Sequence, residues 1–168
     1  MRPMTSREPG VVGAALADEN SYCGIIVDNH HVHPTSVLVA HQAKAQGKLY
    51  LVSDSMATIG SQHKEFQLYG ETIAEKDGCL VNSEGKLAGS AIGLIDAVKL
   101  SHQSVGLSLE ESLRMASLYP ARFIKQAHQR GRIKAGYQAD LVHFNDDFNV
   151  LNTWISGSLK SNHKDTQS

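Results

Sequence analysis

The chain has no dominant charge. Sixteen Lys and Arg stand against seventeen Asp and Glu, a formal net charge of -1, and the basic residues form no stripe or run. Nucleic acid is therefore not an implied partner. An anionic small molecule would have to be held by a few local groups, not by a global field. Cysteine is scarce as well. Cys23 and Cys79 stand in unrelated contexts without metal-ligand spacing, so they read as small apolar residues in a reducing cytoplasm. No apolar run approaches the roughly 20 residues of a membrane-spanning helix. The start, Met1-Arg2-Pro3-Met4-Thr5-Ser6, lacks the apolar segment of a signal peptide. No internal repeat or low-complexity segment occurs. The expectation is a cytoplasmic protein with neither nucleic acid nor membrane as partner.

What is present is ordinary in amount and informative in order. The 168 residues, 41% hydrophobic and 20% charged, fit a soluble globular class. Arg7-Glu8-Pro9-Gly10 is turn chemistry, and Val11 to Ala17 can form a short helix or strand. Tyr22 to Asp28 reads as a buried strand. Pro34 starts a helix running to about Gln46, with Gly47 as its stop, and Lys48 to Asp54 is the next strand. Strand, helix and strand in this order imply a parallel pair. Beyond Gly60 the pattern changes to short hairpin strands around Gly70, Asp77-Gly78 and Glu84-Gly85. Ser90 to about Ser104 reads as a helix. Ser108-Leu109-Glu110-Glu111 is a capping box, followed by an apolar stripe at Leu109, Leu113 and Ala116. Pro120 is expected to break that helix, with a second short one over Ala121 to Gln126. Strand character returns over Gly131 to Phe144 and again at Val150 to Ile155. Ser158 to Ser168 is polar and expected to be disordered.

Two strands thus end in acid and imidazole groups: Val27-Asp28-Asn29-His30-His31 and Val52-Ser53-Asp54. In barrel enzymes the C-terminal ends of strands carry the chemistry. Taken alone, Asp54 is more simply a turn or helix-cap aspartate. The grouping of His30, His31 and His33 invites a metal. On a strand, however, His31 and His33 share one face and His30 points away, and no third ligand stands nearby. The expectation is no metal site built from these residues. Arg7 alone is an exposed loop arginine, although its planar fork suits a phosphate. Gly89 could let a backbone approach a ligand, or simply punctuate the chain.

The order of these pieces resembles the amidohydrolase superfamily, and within it the N-acetylglucosamine-6-phosphate deacetylases. The resemblance rests on Arg7 to Gly10, Tyr22 to Ile26, Asp28 with His31, Leu51 to Asp54 and Leu87 to Ser90. It continues through Leu113 to Arg122, and through Gly131, Gly136 and Ala139-Asp140-Leu141. It implies an α/β fold: the last two strands and helices of a (β/α)8 barrel over residues 1–129, with a hairpin insertion at about 64–87. Strands of a small β-domain would follow over 130–157. It implies metal-dependent hydrolysis of an acetamide to glucosamine 6-phosphate and acetate, as part of amino-sugar metabolism. Asp54 matches the acid that moves a proton between the nucleophilic water and the leaving amine. Arg7, Asp28, His31, Ala88, Gly89 and Ser90 match substrate-binding positions, with Arg7 at the sugar phosphate. The family is homodimeric, so this chain is expected to self-associate.

One departure is large. The family's divalent metal, zinc or similar, is held by a glutamate and two histidines on strands three, five and six, and none of the three is in this chain. A complete barrel needs roughly 250 residues. The resemblance therefore implies a chain that begins in mid-barrel and has little activity alone. Two alternatives stand beside this reading. One is another amidohydrolase, dihydroorotase-like or deaminase-like. The other is a non-catalytic remnant or interaction protein.

Overall fold

The computed structural model describes residues 4–76 and 78–162. Met1, the turn residue Asp77 and the end of the expected tail, 163–168, lie outside them. The described chain builds five helices and three separate sheets.

The first sheet is the expected parallel pair, β1 (Cys23–Ile26) and β2 (Leu49–Val52), aligned so that Ile26 faces Val52. Helix α1 (Gly10–Ala17) precedes it, and α2 (Pro34–Ala43) crosses between its strands. Pro34 occupies the first turn of α2, where its missing N–H costs nothing. His33 caps that helix by accepting from the Thr35 amide, a role the sequence reading did not give it. The helix also stops earlier than expected. Lys44 leaves it in an extended conformation, and its ammonium reaches across to α1. There it donates to the carbonyls of Ala15 and Asp18 and to the Ser21 hydroxyl.

The second sheet is an antiparallel meander of β3 (Glu65–Leu68), β4 (Glu71–Lys76), β5 (Cys79–Val81) and β6 (Leu87–Ser90), in that spatial order. It claims Ser90, which the periodicity had assigned to a helix. The helix α3 begins only at Leu94 and runs to Gln103. Next, α4 (Leu109–Ala116) starts at Ser108, whose hydroxyl accepts from the Glu111 amide at 3.2 Å. The break then falls at Ser117, and Pro120 lies inside α5 (Leu118–Phe123), in its first turn. Proline is tolerated there because the first N–H groups of a helix have no intrahelical acceptor.

The third sheet joins β7 (Leu141–Phe144), β8 (Val150–Ile155) and β9 (Ser158–Asn162) antiparallel. The long strand expected from Gly131 is mostly turn, with strand only from Leu141. The expected disordered tail is corrected over Ser158–Asn162. A turn at Ser156-Gly157, both at positive φ, folds that segment back on β8, and backbone pairing needs no apolar side chains.

One core joins the parallel pair to the helices. Val27, Val37, Leu49, Leu51, Ala97, Val98, Met115 and Tyr119 are buried in it, with Phe148 closing it from the turn between β7 and β8. On α4 the fully buried positions are Ser112 and Met115, while Leu109, Leu113 and Ala116 pack only partly buried beside them. No helix among the described residues is long and apolar enough to cross a membrane.

Candidate active site

Parallel pairing decides where the chemistry gathers. Ile26 is opposite Val52. Asp28 and Asp54 each follow by two residues, so both leave the same end of neighbouring strands, which run about 4.8 Å apart.

Asp28 is turned inward. Its side chain has no exposed surface, and both of its oxygens are engaged. Oδ1 accepts from the amides of His30 and His31 at 2.9 and 2.8 Å, and Oδ2 meets His31 Nδ1 at 2.6 Å. Asn29 adopts a left-handed φ of 65° to make that turn, which Asn tolerates better than most residues. Burial alone would push the Asp28 carboxyl up. The His31 ring and the two amides outweigh burial and hold it below the usual carboxylate range. The carboxylate is thus committed to the protein through three hydrogen bonds. It fixes His31 with Nδ1–H toward the protein and Nε2 outward. His31 keeps 18% of its side-chain surface exposed. Neutral, it offers a lone pair to a hydroxyl; protonated, it offers a donor to an anion.

Asp54 is the opposite case. Its side chain is exposed, its backbone is left-handed with φ 54°, and no described group donates to its carboxylate. A free carboxylate at a strand end is placed to exchange a proton with something in front of the sheet. The loop around it is held by β6. The Ser90 amide donates to the Asp54 carbonyl at 2.9 Å, and the Ser90 hydroxyl donates to the Ser53 carbonyl at 2.5 Å. Ser90 is wholly buried. Gly89, at φ 96°, passes so close that a Cβ would lie 2.4 Å from Met56 Cγ and 3.3 Å from the Asp54 carbonyl. Ala88 is half-buried beside it.

The structure therefore brings together Asp28 with His31, and Gly89 and Ser90 with Asp54. Arg7 sits in an exposed bend before α1, and among the described residues it makes no hydrogen bond or ion pair to the others. His30 is exposed, and its Nε2 would lie 3.5 Å from a Cβ on Gly78 at the β4–β5 turn. Among the described residues, no group of three or more His, Cys, Asp or Glu is placed to hold a metal, so the residues present do not fit a metal centre by themselves.

A cleft of about 700 Å³ opens at the other end of β2, lined by Leu38, His41, Leu49, Leu107, Glu111 and Tyr119 among others. From the sequence, Glu111 is expected only to cap α4. Its carboxylate instead takes Arg114 Nε at 2.9 Å, the Tyr119 hydroxyl at 3.0 Å and His41 Nε2 at 3.4 Å. Burial opposes the charge, but these donors lower its pKa on balance. With its oxygens engaged, Glu111 ties α2, α4 and α5 together.

The amidohydrolase family model matches residues 11–160, which include both strand ends and all but the last two residues of the three sheets. The chain belongs to the amidohydrolase family. Among curated amidohydrolases, the N-acetylgalactosamine-6-phosphate deacetylase of Shewanella sp. (strain ANA-3) is 45% identical over 159 residues. That match takes in 95% of this chain and 40% of the relative's length. A relative from Escherichia coli (strain K12) is 33% identical over 161 residues, and this chain covers 96% of it. The crystal structure of N-acetylglucosamine-6-phosphate deacetylase from Pasteurella multocida superposes with a TM-score of 0.89 at 40% identity. It covers 94% of this chain, which spans 41% of that one.

Proposed function

We propose that this chain carries the proton-transfer and substrate-contact part of an N-acetylglucosamine-6-phosphate deacetylase, acting in the cytoplasm. The observation that carries this reading is the pairing of Asp28-His31 and Asp54 at one end of a parallel strand pair. It lies within a chain 40–45% identical to hexosamine-phosphate deacetylases. In this reading β1 and β2 are the seventh and eighth strands of an eight-stranded barrel. The meander β3–β6 is an insertion in the barrel part, 1–129, and β7 with β8 belongs to a small β-domain over 130–157. Two copies form a homodimer.

The reaction adds a water oxygen to the acetyl carbonyl carbon and breaks the carbon–nitrogen bond, giving acetate and the free amine. Asp54 accepts the water's proton and returns it to the departing nitrogen. Its exposed, unpaired carboxylate suits a group that must be charged first and protonated next. His31, oriented by Asp28, takes a sugar hydroxyl or phosphate oxygen on Nε2. Arg7 pairs with the phosphate, and the backbone of Ala88 and Gly89 lines the sugar. The described residues do not assemble ligands for a metal, so these roles rest on the chain's own groups.

Titration of the isotope-labelled chain with N-acetylglucosamine 6-phosphate tests this reading. Resonances of His31 and Asp54 are expected to shift together and saturably, and His31→Ala is expected to abolish the response. No shift at either residue would overturn the reading. Supplied with zinc, the chain by itself is expected to release no acetate above a metal-free blank. The 45% identity to the Shewanella enzyme favours a second reading, the galactose epimer as substrate. Tighter binding of N-acetylgalactosamine 6-phosphate in the same titration would establish it.

A further inference from the structure

We infer that Ser90 is a positioning residue for Asp54: the antiparallel meander is a brace that holds the catalytic carboxylate's backbone in its left-handed conformation. This goes beyond, and rests on, the reading of Asp54 as the proton carrier.

Three consecutive residues of the strand-end loop are each tied to the end of β6. The Ser53 carbonyl accepts from the Ser90 hydroxyl at 2.5 Å, and the Asp54 carbonyl accepts from the Ser90 amide at 2.9 Å. The Ser55 hydroxyl donates to the Ile92 carbonyl at 2.5 Å, and Ser55 and Ser90 form an isolated parallel bridge. The Ser90 hydroxyl also accepts weakly from the Ile92 amide at 3.4 Å. That hydroxyl is buried and turned to the backbone, so it has no path to a sugar bound in front of the sheet.

Asp54 has need of such a brace. A non-glycine residue at φ 54° sits in a sparsely populated region and stays there only when its surroundings over-determine it. Asp54's side chain supplies none of that restraint, since no described group donates to it. The restraint comes through its carbonyl and those of its neighbours. Gly89 completes the fit, because its missing Cβ is what lets β6 pass against Met56 and the Asp54 carbonyl. The meander also approaches the other strand end, where a Cβ on Gly78 would lie 3.5 Å from His30 Nε2. A sheet with no catalytic group of its own therefore sets the position of the group that has one.

The test compares the parent chain with Ser90→Ala and with Ser90→Thr, which keeps the hydroxyl. Amide exchange at position 90 reports the bond to the Asp54 carbonyl. The expected result for Ser90→Ala is at least tenfold faster exchange there, with β2 and α3 amides unchanged. The Asp54 carboxyl carbon resonance should lose its response to N-acetylglucosamine 6-phosphate while His31 keeps its own. Ser90→Thr should restore both. Unchanged exchange and an unchanged Asp54 response in Ser90→Ala would overturn the inference. So would loss of protection throughout the chain, which marks a merely structural role. If Asp54 of the parent chain fails to respond to the sugar phosphate, the proton-carrier reading fails instead, and exchange at position 90 still decides whether the brace exists.

Discussion

Asp28 and Asp54 show how much two identical side chains are separated by their surroundings. Both are aspartates two residues beyond the end of paired strands. One is buried and accepts three hydrogen bonds; the other is exposed and accepts none from the described chain. Asp28 is thereby a stability group as well as an orienting one. Its folded pKa is lowered, so its contribution is present above the unfolded value near 4 and is lost as pH falls through the folded value. Asp28→Asn is expected to cost about 1–3 kcal/mol at pH 7, the range for a buried hydrogen-bonded group left poorly matched. The variant's deficit should begin to shrink below about pH 4, where the unfolded chain's carboxylate takes up a proton, and should vanish only as pH falls below the lowered folded value. Urea melts of parent and variant between pH 3 and 7 check both. The strand-end acid and imidazole were legible from residue type and the preceding apolar run. Their different states were not, because burial is a property of neighbours far along the chain.

Among the elements, the connection between α1 and α2 depends on one side chain. Lys44 is only 4% exposed, and its three ammonium protons find three acceptors: two carbonyls at the end of α1 and the Ser21 hydroxyl. The last carbonyls of a helix have no intrahelical donors and carry partial negative charge, which is why a cation is stable there. Lys44→Met keeps the length and removes the donors. It is expected to lower stability by about 1–3 kcal/mol, measurable as a reduced urea midpoint with an unchanged slope. The sequence announced α2 through Pro34 and stopped it at Gly47. The helix ends earlier because Lys44 has better partners outside it. Pro120 misled in a similar way. A proline breaks a helix interior but fits a first turn, and which of these it occupies depends on where the previous helix ended.

At the scale of the molecule, the parallel pair has an open edge on each side. Among the described residues β1 pairs only with β2, so each strand presents unpaired backbone groups along its outer side. Apolar side chains are exposed elsewhere, including Ile133, Val142, Ile155 and Leu159. Sedimentation of the chain is expected to show a dimer or larger assembly at micromolar concentration. A monomer with a sharp cooperative melt would count against it. The relative from Escherichia coli, matched over 96% of both chains, has the same extent and is expected to behave alike.

Local signals in the sequence determined the order of strand and helix, the parallel pair, the hairpin meander and the two acid-bearing strand ends. Each of these follows from side-chain period, turn residues or the right-handed connection of neighbours along the chain. Tertiary structure decided that Asp28 serves His31, that Ser90 faces the Asp54 loop, that Glu111 joins three helices and that Ser158–Asn162 pairs as β9. These depend on which groups meet across long stretches of chain. A hydroxyl or carboxylate will serve whichever donor or acceptor packing sets within 3 Å of it, and no local pattern encodes that choice.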